Sequence, residues 1–296
     1  MLGQLLISLR EGFEAALITT IILAYLIRID RRSLTKYVWI GVYLSIALSL
    51  LLGAAIWVTY GILSKQAQVL FEGVAAWVAV AVLSSMIYWM AIKGKRLKEE
   101  IEGKVREIVQ EEVKVASVRS GVSAYLIQKR AVIAFITFSF IVVFREGLET
   151  VLFLTPFMLS TPVETLVGAA IGIGAALVLA YLFYKIGLKL NLRAFFYYTS
   201  ILLTLLAAGL AGYGTHELIE YSESIGLELG WVAEPAYALN IPSDSMFHHK
   251  GAVGSIFAVL FGYTVKAEWL RLIVHATYLL IALPLLVYTY TIKRSR

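Results

Sequence analysis

Seven times along this chain, apolar residues run on for about 20 positions before a polar connection interrupts them. A helix of that length crosses the hydrocarbon of a bilayer. The pattern therefore predicts spanning helices over about 2–27, 37–62, 70–92, 131–157, 164–186, 196–217 and 269–292. Two stretches read differently. Residues 251–263 are apolar but too short to cross, which fits a re-entrant or interfacial helix. In the charged connection 93–130, Leu97, Ile101, Val105 and Ile108 keep helical spacing while Glu, Lys and Arg fill the other faces. That predicts an amphipathic cytoplasmic helix lying near the membrane or packing on the bundle.

Basic residues sort the connections into two sides. Arg28, Arg31, Arg32 and Lys36 follow the first span, and ten Lys and Arg follow the third, from Lys93 to Arg130. Lys185, Lys189 and Arg193 follow the fifth, and Lys293, Arg294 and Arg296 close the chain. The opposite side holds only Lys65, Lys250, Lys266 and Arg271. The positive-inside rule then places the N-terminus outside and the C-terminus in the cytoplasm.

Two spans carry charges within their apolar runs. The first holds Arg10, Glu11, Gly12, Phe13 and Glu14; the fourth holds Arg145, Glu146, Gly147, Leu148 and Glu149. A charge at the bilayer centre costs about 2.5–3.5 kcal/mol on insertion scales, so three in one helix call for a use. The pentads lie near the midplane, displaced slightly outward. Three spans separate the two helices, so they run antiparallel, and spans one to three and four to six read as an inverted repeat. Glu72-Gly73 near the outer end of span three and His216-Glu217 near that of span six fit this repeat.

Within each pentad the glutamates are three apart and share a helix face. Arg10 precedes Glu14 by four, and Arg145 precedes Glu149 by four, so each arginine can pair along its own helix. Gly12 and Gly147 let another helix approach closely. If the two helices cross at these glycines, four carboxylates converge beside two guanidiniums, and a multivalent cation would offset the excess negative charge. A single Arg-Glu pair could be a structural bridge; its repetition at matching depth in opposed helices favours an ion or proton path.

Composition narrows the chemistry. Hydrophobic residues make up 60% and mean hydropathy is +0.81, beyond a soluble domain. The first residues lack the basic start of a signal peptide and carry Arg10 and Glu11 where its apolar core would be, so they are expected to be the first span. The absence of cysteine excludes disulfides and thiolate metal sites. Oxygen ligands suit hard ions: ferric iron, manganese, calcium or magnesium. Five scattered methionines argue against copper(I), and the outward position of the four histidines argues against a midplane His-rich zinc or nickel site. The net charge of +6 follows from the cytoplasmic connections and implies no nucleic-acid partner.

With these residues in view, the chain resembles the iron permease family, the oxidase-dependent iron transporters also called the iron/lead transporter family. The signature Arg-Glu-Gly-Leu-Glu of that family's first and fourth spans matches 10–14, with Phe13 for Leu, and 145–149 intact. Phe71-Glu72-Gly73, Ala208-Gly209-Leu210 with His216-Glu217-Leu218, Gly254-Ser255, and Phe261-Gly262-Tyr263 before Trp269 extend the likeness over essentially the whole chain. The resemblance implies iron uptake across the cytoplasmic membrane with the motif glutamates as iron ligands. It also implies an extracytoplasmic ferroxidase or iron-delivery partner. The chain lacks the Asp-Ala-Ser-Glu motif of fungal outer loops, Asp244-Ser245 being the nearest match, and no large extracytoplasmic domain is expected.

The outer stretch 217–268 holds Glu217, Glu220, Glu223, Glu228, Glu234, Asp244 and Glu268 against Lys250 and Lys266. Such a mouth concentrates cations. Glu217 and Glu220 with His216 are expected to receive iron and hand it inward past Glu72, the bland alternative being a solvated acidic loop. The expected fold is all-α, with seven transmembrane helices in an inverted repeat of three plus three and one extra C-terminal helix. It forms a single transmembrane domain over 1–296. Its parts are a first repeat (1–92), the cytoplasmic loop (93–130), a second repeat (131–217), the acidic segment (218–268), and the seventh helix with its tail (269–296). The expected function is a multi-pass permease carrying iron inward, ferric after external oxidation or ferrous, with no cofactor and with lipid as its surroundings. Glu11, Glu14, Glu146 and Glu149 would bind the ion, with Glu72, His216, Glu217 and Glu220 on its approach. Arg10, Arg145, Gly12 and Gly147 would support them. The oligomeric state is not legible. A proton-coupled carrier of another divalent ion is the alternative. A membrane enzyme is disfavoured, since no nucleophile or cofactor motif accompanies the acids and neither motif helix has the Glu-x-x-His pair of a di-iron site.

Overall fold

The long apolar runs fold as helices that end where polar connections begin. They are α1 (Leu2–Arg28), α2 (Thr35–Gly61), α3 (Lys65–Lys93), α4 (Leu97–Val118), α5 (Ala124–Ser160), α6 (Pro162–Lys185), α7 (Leu192–Ser224), α8 (Gly254–Phe261) and α9 (Trp269–Ile292). This computed structural model describes residues 1–93, 97–118, 124–185, 192–242, 244–248, 251 and 253–292. The sequence readings at Lys95, Arg96, Arg119, Lys189, His249, Lys250, Lys293, Arg294 and Arg296 lie outside the described residues. Among those described, six helices are long and apolar enough to cross a membrane: α2, α3, α5, α6, α7 and α9. α1 matches α2 in length at 27 residues, but its charged pentad interrupts the apolar run.

The pentad of α1 is enclosed by protein. Arg10 and Glu11 are fully buried and Glu14 is 5% exposed. The opposite trend holds at the rim, where Tyr43, Leu50 and Leu280 are more than 60% exposed. Large apolar side chains in that position suit lipid contact rather than water.

Small residues decide which helices touch. α1 packs chiefly on α6, α2 on α5, α3 on α7, and α9 on α7. Lipid supplies no hydrophobic drive between helices, so close backbone approach and hydrogen bonds must hold them. On α2, Gly41, Ser45, Ser49 and Gly53 recur every fourth residue and face α5; a Cβ on Gly41 would lie 2.5 Å from the Ile136 carbonyl oxygen. The Ser45 hydroxyl donates to both the Gly41 and Phe140 carbonyls at 2.8 Å. On α6, Gly168, Gly172 and Ala176 repeat the spacing against α1, where a Cβ on Gly172 would lie 2.6 Å from the Leu5 carbonyl oxygen. Gly73 of α3 and Gly214 of α7 face each other, each placing its carbonyl oxygen within 3.2 Å of where the other's Cβ would be.

The charged helix α4 packs on the bundle, against α1 and α5. Its Ile101 and Val105 are buried in one cluster with Leu17, Ile21, Leu26 and Phe135. Arg28 pairs with Glu102 at 3.3 Å, and the Arg106 guanidinium donates to the Tyr25 hydroxyl at 3.2 Å. Of the two placements the sequence left open, α4 is seen packed on the bundle.

The end of the bundle that carries Met1, Ser160 and Ser224 is called outer below, after the orientation expected from the charges. There α7 continues to Ser224, two turns beyond the predicted end at 217, because Glu217, Glu220 and Glu223 do not break a helix that leaves the apolar layer. The outer segment also contains β1 (Pro235–Ala238) paired antiparallel with β2 (Lys266–Glu268). No strand was expected: each is three or four residues long and its partner is distant in sequence. α8 stands within the predicted short apolar run 251–263. It ends at Gly262, whose φ of +63° is left-handed, and a Cβ there would also strike the His275 ring at 2.6 Å.

Candidate metal site

The two pentads meet in the interior. Each guanidinium reaches forward one turn, as the spacing predicts: Arg10 Nη2 lies 2.9 Å from Glu14 Oε1, and Arg145 Nε lies 2.9 Å from Glu149 Oε1. Arg10 also pairs through Nη1 with Glu11 Oε1 at 2.7 Å and contacts the Met86 sulfur. Arg145 is different, being about half exposed (47%) and lying over the Trp89 ring at 4.9 Å.

Glu11 of α1 and Glu146 and Glu149 of α5 each place one carboxylate oxygen within 4.8 Å of the others. One oxygen on each of the three (Oε2) is buried without a hydrogen-bond partner. Glu14 stands beside the group, held by Arg10. Opposite ligands of a hard divalent ion at about 2.1–2.5 Å lie about 4.2–5 Å apart, so the three oxygens are near coordinating distance already. Two unpaired carboxylates at this separation repel by about 3–4 kcal/mol at an effective dielectric near 20, and a cation between them reverses that sign.

Gly12 and Gly147 do not meet each other, contrary to the expected crossing. Gly12 faces α6, where its Cβ would lie 3.2 Å from the Ala176 Cβ, and Gly147 faces Ser49 of α2. The glutamates occupy the face between α1 and α5, so the glycines one residue along point to the neighbours on either side.

Ile7 of α1 and Phe153 of α5 stand one turn outward of Glu11 and Glu149. Both are fully buried and share an apolar cluster with Ala79, Leu206 and Leu210. Beyond this layer lies a second polar group. His216, Glu217 and Glu220 of α7 place ligand atoms within 4.8 Å of one another. His216 Nδ1 also lies 3.2 Å from Glu268 Oε1 in β2. Glu72 is not among these three. It accepts hydrogen bonds from Tyr60 on one oxygen and from Tyr213 on the other.

Sequence reasoning missed Tyr60, Tyr213, Met86 and Trp89, and did not pair Glu268 with His216. Tyr213 precedes Glu217 by four on α7, a spacing that could have flagged it. Nothing local marks Tyr60, which reaches Glu72 from another helix.

Comparison with known proteins agrees over nearly the whole chain. The family described as "Iron permease FTR1 family" matches residues 1–290. An uncharacterized protein of Archaeoglobus fulgidus is 41% identical, covering 98% of this chain and 96% of the relative. A protein of Escherichia coli O6:H1 named ferrous iron permease EfeU is 33% identical over 90% of this chain and 94% of its own length. One of the same name from Yersinia pestis is 33% identical over 90% and 92%. No solved structure matches.

Proposed function

The chain belongs to the iron permease FTR1 family, and from that premise we propose that it carries iron inward across the cytoplasmic membrane through the doubled Arg-Glu-Gly-x-Glu site. The observation that carries the reading is the meeting of Glu11, Glu146 and Glu149 from two helices, buried, each with an oxygen left without a partner. Glu14 acts as a fourth ligand when Arg10 yields it. Arg10 and Arg145 limit repulsion while the site is empty. The family is one of permeases, so these acids handle cargo rather than catalyse.

In this reading α1 is a seventh span, tolerated because its charges are paired and enclosed. The halves α1–α3 and α5–α7 form an inverted repeat. The packing supports it: α1 on α6 matches α5 on α2, and α3 meets α7 glycine to glycine. The layout is one transmembrane domain with N-terminus outside, C-terminus inside and α4 as a cytoplasmic brace. Iron reaches the outer acidic group from an external ferroxidase or delivery protein. The relatives named as ferrous permeases make Fe(II) a form to test beside Fe(III).

The test is radioactive iron uptake into proteoliposomes, run separately with Fe(II) under ascorbate and with Fe(III)-citrate. Wild type should accumulate iron, and Glu149→Ala and Glu14→Ala should lose most of it. Uptake unchanged in both variants would make the glutamates structural.

A further inference from the structure

Arg271, in the first turn of α9, is a cation without a contact partner. Among the described residues it makes no hydrogen bond and no ion pair; Glu268 and Glu217 act on it only at longer range. Its side chain passes over Gly212 of α7, with Nε 3.7 Å from where a Cβ would stand. There it enters the wall of a cavity of about 460 Å³, enclosed by α7, α8, the start of α9 and β1. Tyr237, Phe257, Phe261, Tyr263 and Leu272 make most of the remaining wall apolar. His275 also lines it, but its Nδ1 is already engaged with the Ala208 carbonyl oxygen at 3.0 Å.

Apolar walls around one fixed polar group are the ordinary form of a small-ligand site. A guanidinium whose donors no protein group fills matches an anion that offers two oxygens, a phosphate above all. Depth names the source. α9 enters the apolar layer at Trp269, an exposed indole of the kind that marks headgroup level. Phe257 and Phe261 of α8 are about half exposed, an apolar surface that suits an acyl chain. We propose that this cavity binds a phospholipid of the adjacent leaflet, its phosphodiester on Arg271 and its glycerol and upper chain against Phe257, Phe261 and Leu272. α8 packs on α7, and the lipid fills the space between α8 and α9. Seated there, it ties the two helices together.

The probe is phosphatidylglycerol added to delipidated protein in detergent, read by native mass spectrometry and thermal melting. Wild type should hold one phospholipid tightly and melt several degrees higher with it. Diacylglycerol with the same chains lacks the phosphate, and inorganic phosphate lacks the chains; neither should shift the melting. Arg271→Gln should raise the concentration for half-occupancy about tenfold or more. Lys65→Gln, at an exposed cation near the same end, should leave it unchanged. Phe257→Asp keeps Arg271 and sets a carboxylate in the opposite wall, so it tests the cavity even where Arg271→Gln does not fold. It should also release the lipid. Undiminished retention in either folded variant overturns the proposal. So does an equal shift with diacylglycerol, which would leave only an apolar crevice, or with inorganic phosphate, which would make this a soluble-anion site. Iron plays no part in the readout, so the lipid site stands or falls apart from the permease reading.

Discussion

Arg10 and Arg145 occupy the same position in nearly identical pentads, yet their surroundings differ. Arg10 is sealed between Glu11, Glu14 and Met86, whereas Arg145 is about half exposed over Trp89. Removing one partner of a buried pair strands the other charge and costs about 3–5 kcal/mol. Removing a half-exposed partner costs about 1 kcal/mol. Arg10→Gln should therefore unfold in detergent at a markedly lower temperature than wild type, while Arg145→Gln stays close to it. Equal melting temperatures would contradict the contrast. The pairings of Arg10 with Glu14 and Arg145 with Glu149 were legible in the sequence, because four residues make one helical turn. The difference in burial was not, because Met86 and Trp89 belong to α3 and identical pentads cannot report their neighbours. Nor could sequence show Tyr60 on Glu72, a contact between two helices that no spacing encodes.

At the scale of elements, α6 offers a matched pair of glycines. Gly172 lies against the α1 backbone, with its Cβ position 2.6 Å from the Leu5 carbonyl, whereas Gly174 has nothing within 4 Å. Gly172→Ala should push α1 away, lowering both thermal stability and iron uptake. Gly174→Ala should leave uptake unchanged and gain up to about 1 kcal/mol from helix propensity. If both behave alike in a melting and uptake comparison, the α1–α6 seam is not the close contact described. The long helices were legible from run length, and α4 from its amphipathic spacing. Their partners were not. Gly12 and Gly147 suggested that the motif helices cross at glycine, but the flanking helices took those surfaces, since the glutamates needed the face between α1 and α5 for themselves. The β1–β2 pairing was invisible for the same reason of range: its strands are short and lie in distant parts of the outer segment.

At the scale of the whole molecule, the orientation is directly testable, because the chain has no cysteine to confuse labelling. A single cysteine in place of Glu223 should react with an impermeant maleimide in intact cells; one in place of Glu107 should react only after permeabilisation. The reverse pattern would invert the protein. The crossed packing also bears on how the transporter moves. α1 leans on α6 and α2 on α5, so the two halves of the proposed repeat cannot rock apart as separate bodies without breaking both seams. Motion that preserves the seams would carry α1 with α6 and α2 with α5. The same interlacing has a consequence for biosynthesis. Glu11 is made 135 residues before Glu146, and α6 follows later still. At roughly 5–20 residues per second, α1 waits on the order of 10–30 s for the helices that enclose its charges. Chain 1–93 expressed alone should be degraded or fail to stay inserted, and co-expression of the remainder should rescue it, as a pulse-chase experiment would show. The cell must shelter an unfinished charged helix through that interval, so the yield of transporter depends on the insertion machinery's patience as much as on the stability of the finished fold.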